Sequence, residues 1–338
     1  MKALRIFMGF VFLLAGFIGY LSGGMAAHAA PAAPSAAHEI AKVTLPETSI
    51  DGPAFTNGEF TFEGQTTTRS VLAWTGTDAA HHLNVMTGTD GLHYSHKIIV
   101  GQLSAHRPAV AQMSPAAGNA VILAWTGTNT SHSLNVLFDV YGESKKMTYW
   151  DENSNFAPAL LFSGSTLYLA WTGTDANQSL NVAKIDITSL KMVSKTTLWN
   201  FTTISAPTLG AANTQVVLGW ATKTQHLNQA TSTDGVHFTS ALGSGLVQTS
   251  VLAPSFILHH REGGPEFWIA WAGTDPHHTI SLQWTTHFPQ WPDLAGTRTF
   301  TPEWAFGAPV VDFNQGVLLV WTGTDTNHHI NIARFDGF

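Results

Sequence analysis

A repeat constrains this chain more than any other feature. The segments VLAWTGTDAAHHLNV, ILAWTGTNTSHSLNV, YLAWTGTDANQSLNV, VLGWATKTQHLNQA, WIAWAGTDPHHTISL and LVWTGTDTNHHINI are six versions of one unit. Their tryptophans, Trp74, Trp125, Trp171, Trp220, Trp271 and Trp321, stand 46 to 51 residues apart. Each is preceded by a proline, at Pro53, Pro108, Pro158, Pro207, Pro254 and Pro309. A unit of this length cannot bury an apolar face alone, so the copies must pack on one another. Its Thr, Val, Leu and aromatic residues alternate with polar ones and are bounded by Gly, Asn, Asp and Ser, which is the chemistry of short strands and tight turns. About fifty such residues make a four-stranded sheet, one blade of a propeller.

The third copy reads strand by strand. PALLF opens at Pro158, Ser163-Gly164-Ser165 turns the chain into TLYLAWTGT, a second turn begins at Asp175, and SLNVAKID and KMVSKTTL follow. The sixth copy stops after a third strand, HHINIARFDGF, whereas KVTLPETSIDGPAF, ahead of the first proline, matches KTTLWNFTTISAPTL, the fourth strand that leads to Pro207. Residues 41–45 are therefore predicted to complete the sixth blade. The predicted fold is all-β, a six-bladed propeller of four antiparallel strands per blade over residues 40–338, closed by an N-terminal strand so that no sheet edge is left open.

Ahead of the repeat, Lys2 and Arg5 precede an apolar run over residues 6–21, and Ala27-His28-Ala29 places small residues where a signal peptidase reads. The run is shorter than the ~20 residues of a membrane-spanning helix. Residues 1–29 are expected to be a signal peptide and 30–39 a flexible linker, making the protein secreted or extracytoplasmic; a retained anchor is the alternative. Only 11% of the residues are charged and the net charge is -7, so the chain lacks the clustered Lys and Arg a nucleic acid would demand. It has no Cys and hence no disulfide or thiolate site. A monomer with no membrane contact beyond the signal segment is expected.

Three columns recur inside the unit. Four residues after the tryptophan stand Asp78, Asn129, Asp175, Asp275 and Asp325; seven after it His81, His132, Gln178, His278 and His328; ten after it Asn84, Asn135, Asn181 and Asn331. Asp or Asn opens a type I turn by accepting a backbone N–H two residues on, and Pro276 stands where such a turn favours proline. The Asn column reads as polar stitching of strand backbone. The turn does not require imidazole. Propeller topology places these turns and the loops leading to each proline on one face, around the channel mouth. Asp78, Asp175, Asp275, Asp325, His81, His132, His278 and His328 are thus candidates to bind sugar hydroxyls, or a metal ion through imidazole and carboxylate; no other cofactor is expected. Trp304, beside Glu303 on the loop leading to blade six, is the candidate to stack on a sugar ring. Trp150 and Trp199 lie eight residues before a proline, as do Leu45, Val100 and Leu246, and are expected to be core.

Two further segments, Thr87-Gly88-Thr89-Asp90-Gly91-Leu92-His93-Tyr94 and Ser232-Thr233-Asp234-Gly235-Val236-His237-Phe238, resemble the Asp box of bacterial sialidases and related propellers, with eroded versions at Asp139 and Asp186. The resemblance implies the fold, because in that family the Asp box lies away from the active site. It further implies, for a sialidase, three Arg gripping a carboxylate, a Tyr activated by a Glu, and an Asp acid. Of Arg69, Arg107, Arg261, Arg298 and Arg334, only Arg107 stands directly before a blade-opening strand, in HRPAV, similar to the family's R-I-P. A generic glycosidase needs two carboxyls about 5 to 10 Å apart. Asp51, Asp151, Glu152 and Glu303, placed on the lead-in loops, are candidates with Arg107. The functional expectation is an exported propeller that binds glycans or surface polymers through its loop face. The alternatives are an exo-sialidase or other glycoside hydrolase, and a protein-binding scaffold.

Overall fold

A computed structural model describes residues 38–336 apart from 143, 241–247, 262–263, 287 and 289–295. The expected signal peptide and most of the expected linker lie outside the described residues. Among those described, no helix is long and apolar enough to cross a membrane.

After an initial strand β1 (His38–Thr48), the chain lays down six antiparallel sheets in succession. Blade one is β2 (Ala54–Phe62), β3 (Gln65–Thr75), β4 (His82–Gly88) and β5 (Tyr94–Leu103). Blade two is β6 (Ala109–Gln112), β7 (Val121–Thr126), β8 (Ser133–Phe138) and β9 (Lys145–Asn153). Blade three is β10 (Ala159–Ser163), β11 (Thr166–Thr172), β12 (Ser179–Ile185) and β13 (Met192–Thr202), and blade four β14 (Thr208–Ala212), β15 (Gln215–Ala221), β16 (Leu227–Ser232) and β17 (Thr239–Ser240). Blade five is β18 (Ser255–Arg261), β19 (Gly264–Ala272), β20 (Thr279–Thr285) and β21 (Gly296–Trp304). Blade six takes β22 (Val310–Phe313), β23 (Val317–Thr322) and β24 (His329–Asp336) from the end of the chain and β1 from its beginning. Val43 pairs with Ile332 and Thr44 with Asn331, so the ring closes as the sequence predicts.

The second strand of each blade is sandwiched on both faces by its neighbours. That explains why VILAWT and VLLVWT are buried from end to end and read as continuous apolar runs instead of alternating ones. The unit's tryptophan fills the gap between blades: Trp125 packs with Val71 and Leu83 of blade one, and Trp171 with Ile122 and Leu134 of blade two. A lysine from the fourth strand roofs four of the six rings. The ammonium groups of Lys42, Lys97, Lys146 and Lys195 lie 5.3 Å from the centroids of Trp321, Trp74, Trp125 and Trp171. Every one of these lysines is held by the preceding blade's fourth strand, through Glu303, Glu47, Gln102 and Glu152 respectively. Phe201 of blade three stacks on Trp220 with ring centroids 4.9 Å apart.

Candidate functional site

The repeated turn accounts for its own sequence. Asp275 accepts the N–H groups of His277 at 3.1 Å and Thr279 at 3.0 Å and the Thr279 hydroxyl at 3.0 Å. Asp175 does the same for Asn177 and Ser179. Asp78 and Asp325 bind, besides two backbone N–H groups each, the Nδ1 atoms of His82 and His329 at 2.7 Å. Desolvation works against ionisation in all four, but these hydrogen bonds outweigh it and lower their pKa values. The glycine of WTGT is required by proximity: a Cβ at Gly76 would lie 2.7 Å from Asp78 Oδ2 and 3.0 Å from Asn84 Nδ2. His81, His132, Gln178, His278 and His328 share a left-handed backbone, with φ between 52° and 59°. Their N–H groups close the turn, and the carbonyls of His81 and His132 accept Ser104 and Ser154 N–H from the end of their own blade. Asn135 and Asn181 donate to Ser133 and Ser179 carbonyls and accept from Thr148 and Thr197.

The loops leading to each proline form the same face and latch the blades together. Ser104, Ser154 and Ser250, four residues before a proline, cap the carbonyls of His106, Phe156 and Leu252. Thr75, Thr126, Thr172 and Thr322 of the WTGT segments donate across the blade boundary to His106, Phe156, Ser205 and Asp51 carbonyls at 2.7 to 2.9 Å. The signal for this serine column in the sequence is S-x-x-x-P, which the repeated tryptophan unit does not contain.

At these loops the repeat breaks in one place. Directly before the prolines stand Gly52, Arg107, Ala157, Ala206, Ala253 and Ala308, and two residues before them Asp51, His106, Phe156, Ser205, Leu252 and Gly307. Four of the alanines pack together around the axis. Arg107 stands alone among small residues, at the mouth of a central channel of about 330 Å3 lined by the first strands of all six blades. Its backbone N–H donates to Asp51 Oδ2 at 3.2 Å. Among the described residues its guanidinium has no hydrogen-bond partner; burial lowers its pKa, opposed by the Asp51 charge. His106 lies beside it, edge-on to His132 with centroids 6.3 Å apart. Burial also lowers the pKa of His106, with Asp51 acting in the opposite sense.

The remaining candidates fall elsewhere. Trp304 is the last residue of β21 and not part of a loop, because the fourth strand of blade five pairs on to Thr279 beyond a bulge. It is 36% exposed and stacks on His277 at 4.2 Å, and on the same face Phe306, 41% exposed, stacks on His328 at 3.7 Å. Glu303 also lies in β21, and Asp151 and Glu152 in β9, rather than on lead-in loops. Glu303 is bound to Lys42 and Glu152 to Lys195, on opposite sides of the ring. Arg69 lies within β3, where its Nη2 donates to the Asn119 carbonyl at 2.6 Å, and Arg334 donates to the Asp90 carbonyl; both belong to the face opposite Arg107. Among the described residues no three His, Asp or Glu side chains cluster as metal ligands.

No family model and no curated protein matches the chain. Solved structures do. The GH93 α-L-arabinofuranosidase of Fusarium graminearum in complex with arabinobiose superposes with a TM-score of 0.63 at 9% identity, covering 88% of this chain and 98% of that one. A triple-arginine mutant of AofleA from Arthrobotrys oligospora gives 0.59 at 11% identity over 88% of this chain and 90% of that one. Trypanosoma rangeli sialidase in complex with the inhibitor DANA gives 0.59 at 10% identity over 90% of this chain, which spans only 60% of the sialidase. At such identity the likeness carries the fold, a sialidase-like propeller.

Proposed function

We propose that this protein is an exported carbohydrate-binding propeller that takes a saccharide on its loop face, over the channel mouth at Arg107, without cleaving it. The observation that carries the reading is the single break in the ring of small residues before the prolines, filled by a guanidinium with no hydrogen-bond partner among the described residues. An arginine held in this way offers several fixed donors to hydroxyl or carboxylate oxygens. Trp304 and Phe306 supply apolar ring faces on the same surface, suited to sugar C–H groups. Proteins of similar fold are named for their action on sialic acid and arabinose linkages, which supports a saccharide as the ligand class.

A glycan array run beside a panel of fluorogenic glycosides tests this. Saccharide hits that weaken at least about tenfold in Arg107→Ala, with no glycoside turned over, are the expected result. An empty array, or hits that survive both Arg107→Ala and Trp304→Ala, overturns the proposal. A second reading, a glycoside hydrolase, draws on Asp51 and His106 flanking Arg107. Turnover by the wild-type chain that vanishes in Asp51→Asn would establish it in place of the first.

A further inference from the structure

The repeat breaks a second time, on the rim between blades one and two, in a manner that does not rest on the channel-mouth reading. Three of the four lysines that roof the tryptophan column have a carboxylate partner: Lys42 with Glu303, Lys97 with Glu47 and Lys195 with Glu152. The fourth, Lys146, meets the amide Oε1 of Gln102 at 2.5 Å. Among the described residues it has no carboxylate partner, so this copy retains an uncompensated positive charge.

At the same place the fourth strand changes register. In blade one Val100, eight residues before the proline, pairs with Leu83 and is buried. In blades two and three the corresponding pairs are Leu134 with Tyr149 and Leu180 with Leu198, one residue further from the proline, followed by a longer bulge. Trp150 and Trp199 are consequently turned out of the core, 71% and 67% exposed, which corrects the expectation that they are core. Trp150 walls a cleft of about 240 Å3 with Gln102, Trp125, Thr128, Asn129 and Lys146. Neither the Gln102 amide nitrogen nor the Thr128 hydroxyl has a protein partner among the described residues, so both face the cleft's contents or solvent.

We infer that this cleft binds a carboxylated pyranose of hexuronate size. The indole face takes the ring's C–H groups, the Lys146 ammonium takes the carboxylate as a charge-assisted bond, and Gln102 and Thr128 serve hydroxyls. The volume lies below the ~300 Å3 at which pockets for drug-sized ligands begin, which limits the occupant to one sugar residue. Beside it, the Trp199 position has the same exposed indole, but its lysine is neutralised by Glu152, so it is an internal comparator for charge.

Ligand-observed NMR titrations with glucuronate, galacturonate and glucose decide the matter. The wild-type chain is expected to bind the two uronates in the millimolar range and glucose more weakly. Gln102→Glu rebuilds the ion pair that three other blades already carry, so the fold is kept, and uronate affinity is expected to fall at least about tenfold, a larger drop than that of glucose, which carries no carboxylate to be repelled. Trp150→Ala is expected to abolish uronate binding at the cleft, and Trp199→Ala to leave it unchanged. Absence of uronate binding by the wild-type chain, or equal affinity in Gln102→Glu, overturns the inference. Loss in Arg107→Ala alone overturns it too, by moving the acidic sugar to the channel mouth.

Discussion

Asp312 lies where the first strands of blades six and one meet, its oxygens accepting the Phe313 N–H at 2.6 Å and the Asn57 N–H at 3.2 Å. Burial pushes its carboxyl up to about 7, with those N–H groups working in the opposite direction. The folded chain therefore holds this proton over a pH range in which the unfolded chain has released it. Stability from this group is complete below about pH 4 and is lost as the pH rises towards 7, a change of the order of 2–4 kcal/mol. His106, whose pKa is lowered, has the opposite slope just below its ordinary value, so the wild-type curve is a difference of the two. Asp312→Asn is expected to remove the downward component while lowering stability overall, because an amide NH2 must then face one of two backbone donors. Urea midpoints at pH 5 and pH 8 check this; an unchanged slope in Asp312→Asn would assign the pH dependence elsewhere. Arg107, by contrast, shows nothing unusual by residue type. HRPAV marks it out through its similarity to R-I-P, and the register of the six lead-in loops, in which the other five prolines follow Gly or Ala, shows why it stands alone.

The second-to-third-strand turn shows which of its columns are architecture. Asp275→Ala removes three hydrogen bonds from an exposed turn and is expected to cost about 1 kcal/mol. His278, at φ 52°, contributes a left-handed backbone that Asn adopts more readily than most residues. His278→Asn is therefore expected to change stability by less than about 0.5 kcal/mol, read from thermal and urea midpoints. A large loss would show that the imidazole itself supports the fold. Strand placement was legible because the Thr-, Val-, Leu- and aromatic-rich runs and the turn residues that bound them agree: the four strands read for the third copy coincide with β10 to β13 to within a few residues. The outward turn of Trp150 and Trp199 was not. Counting back from the proline assumes a constant bulge, and one extra residue in a bulge reverses which side chain faces the core. Glu303 and Trp304 belong to a strand and not to a loop for a related reason, since pairing resumes beyond the bulge and carries the strand to its end.

At the scale of the whole molecule, ring closure was readable because the last copy lacks a strand that the first residues of the repeat region supply. What closure does physically is concentrated in β1. Thr44 donates to Asn331 at 2.7 Å, Leu45 is buried among Phe55, Leu72 and Trp74 of blade one, Lys42 reaches Glu303 of blade five, and Glu47 receives Lys97 of blade one. One strand thus ties blade six to both neighbours. Deleting residues 1–48 exposes the edge of β24, a row of unpaired N–H and C=O groups that templates association between chains. The expected outcome is a rise in particle mass in light scattering relative to the intact chain, together with loss of a single cooperative melt. Leu45→Ala keeps the edge covered while removing the buried contact. It is expected to cost about 2–3 kcal/mol without oligomerisation, separating the packing of β1 from its role as a cap. Adding a peptide of residues 38–48 to the truncated chain should reverse the association if the strand acts by pairing. A truncated chain with the same association state as the intact one and an unchanged melting temperature would mean that the five intact blades hold the ring without it.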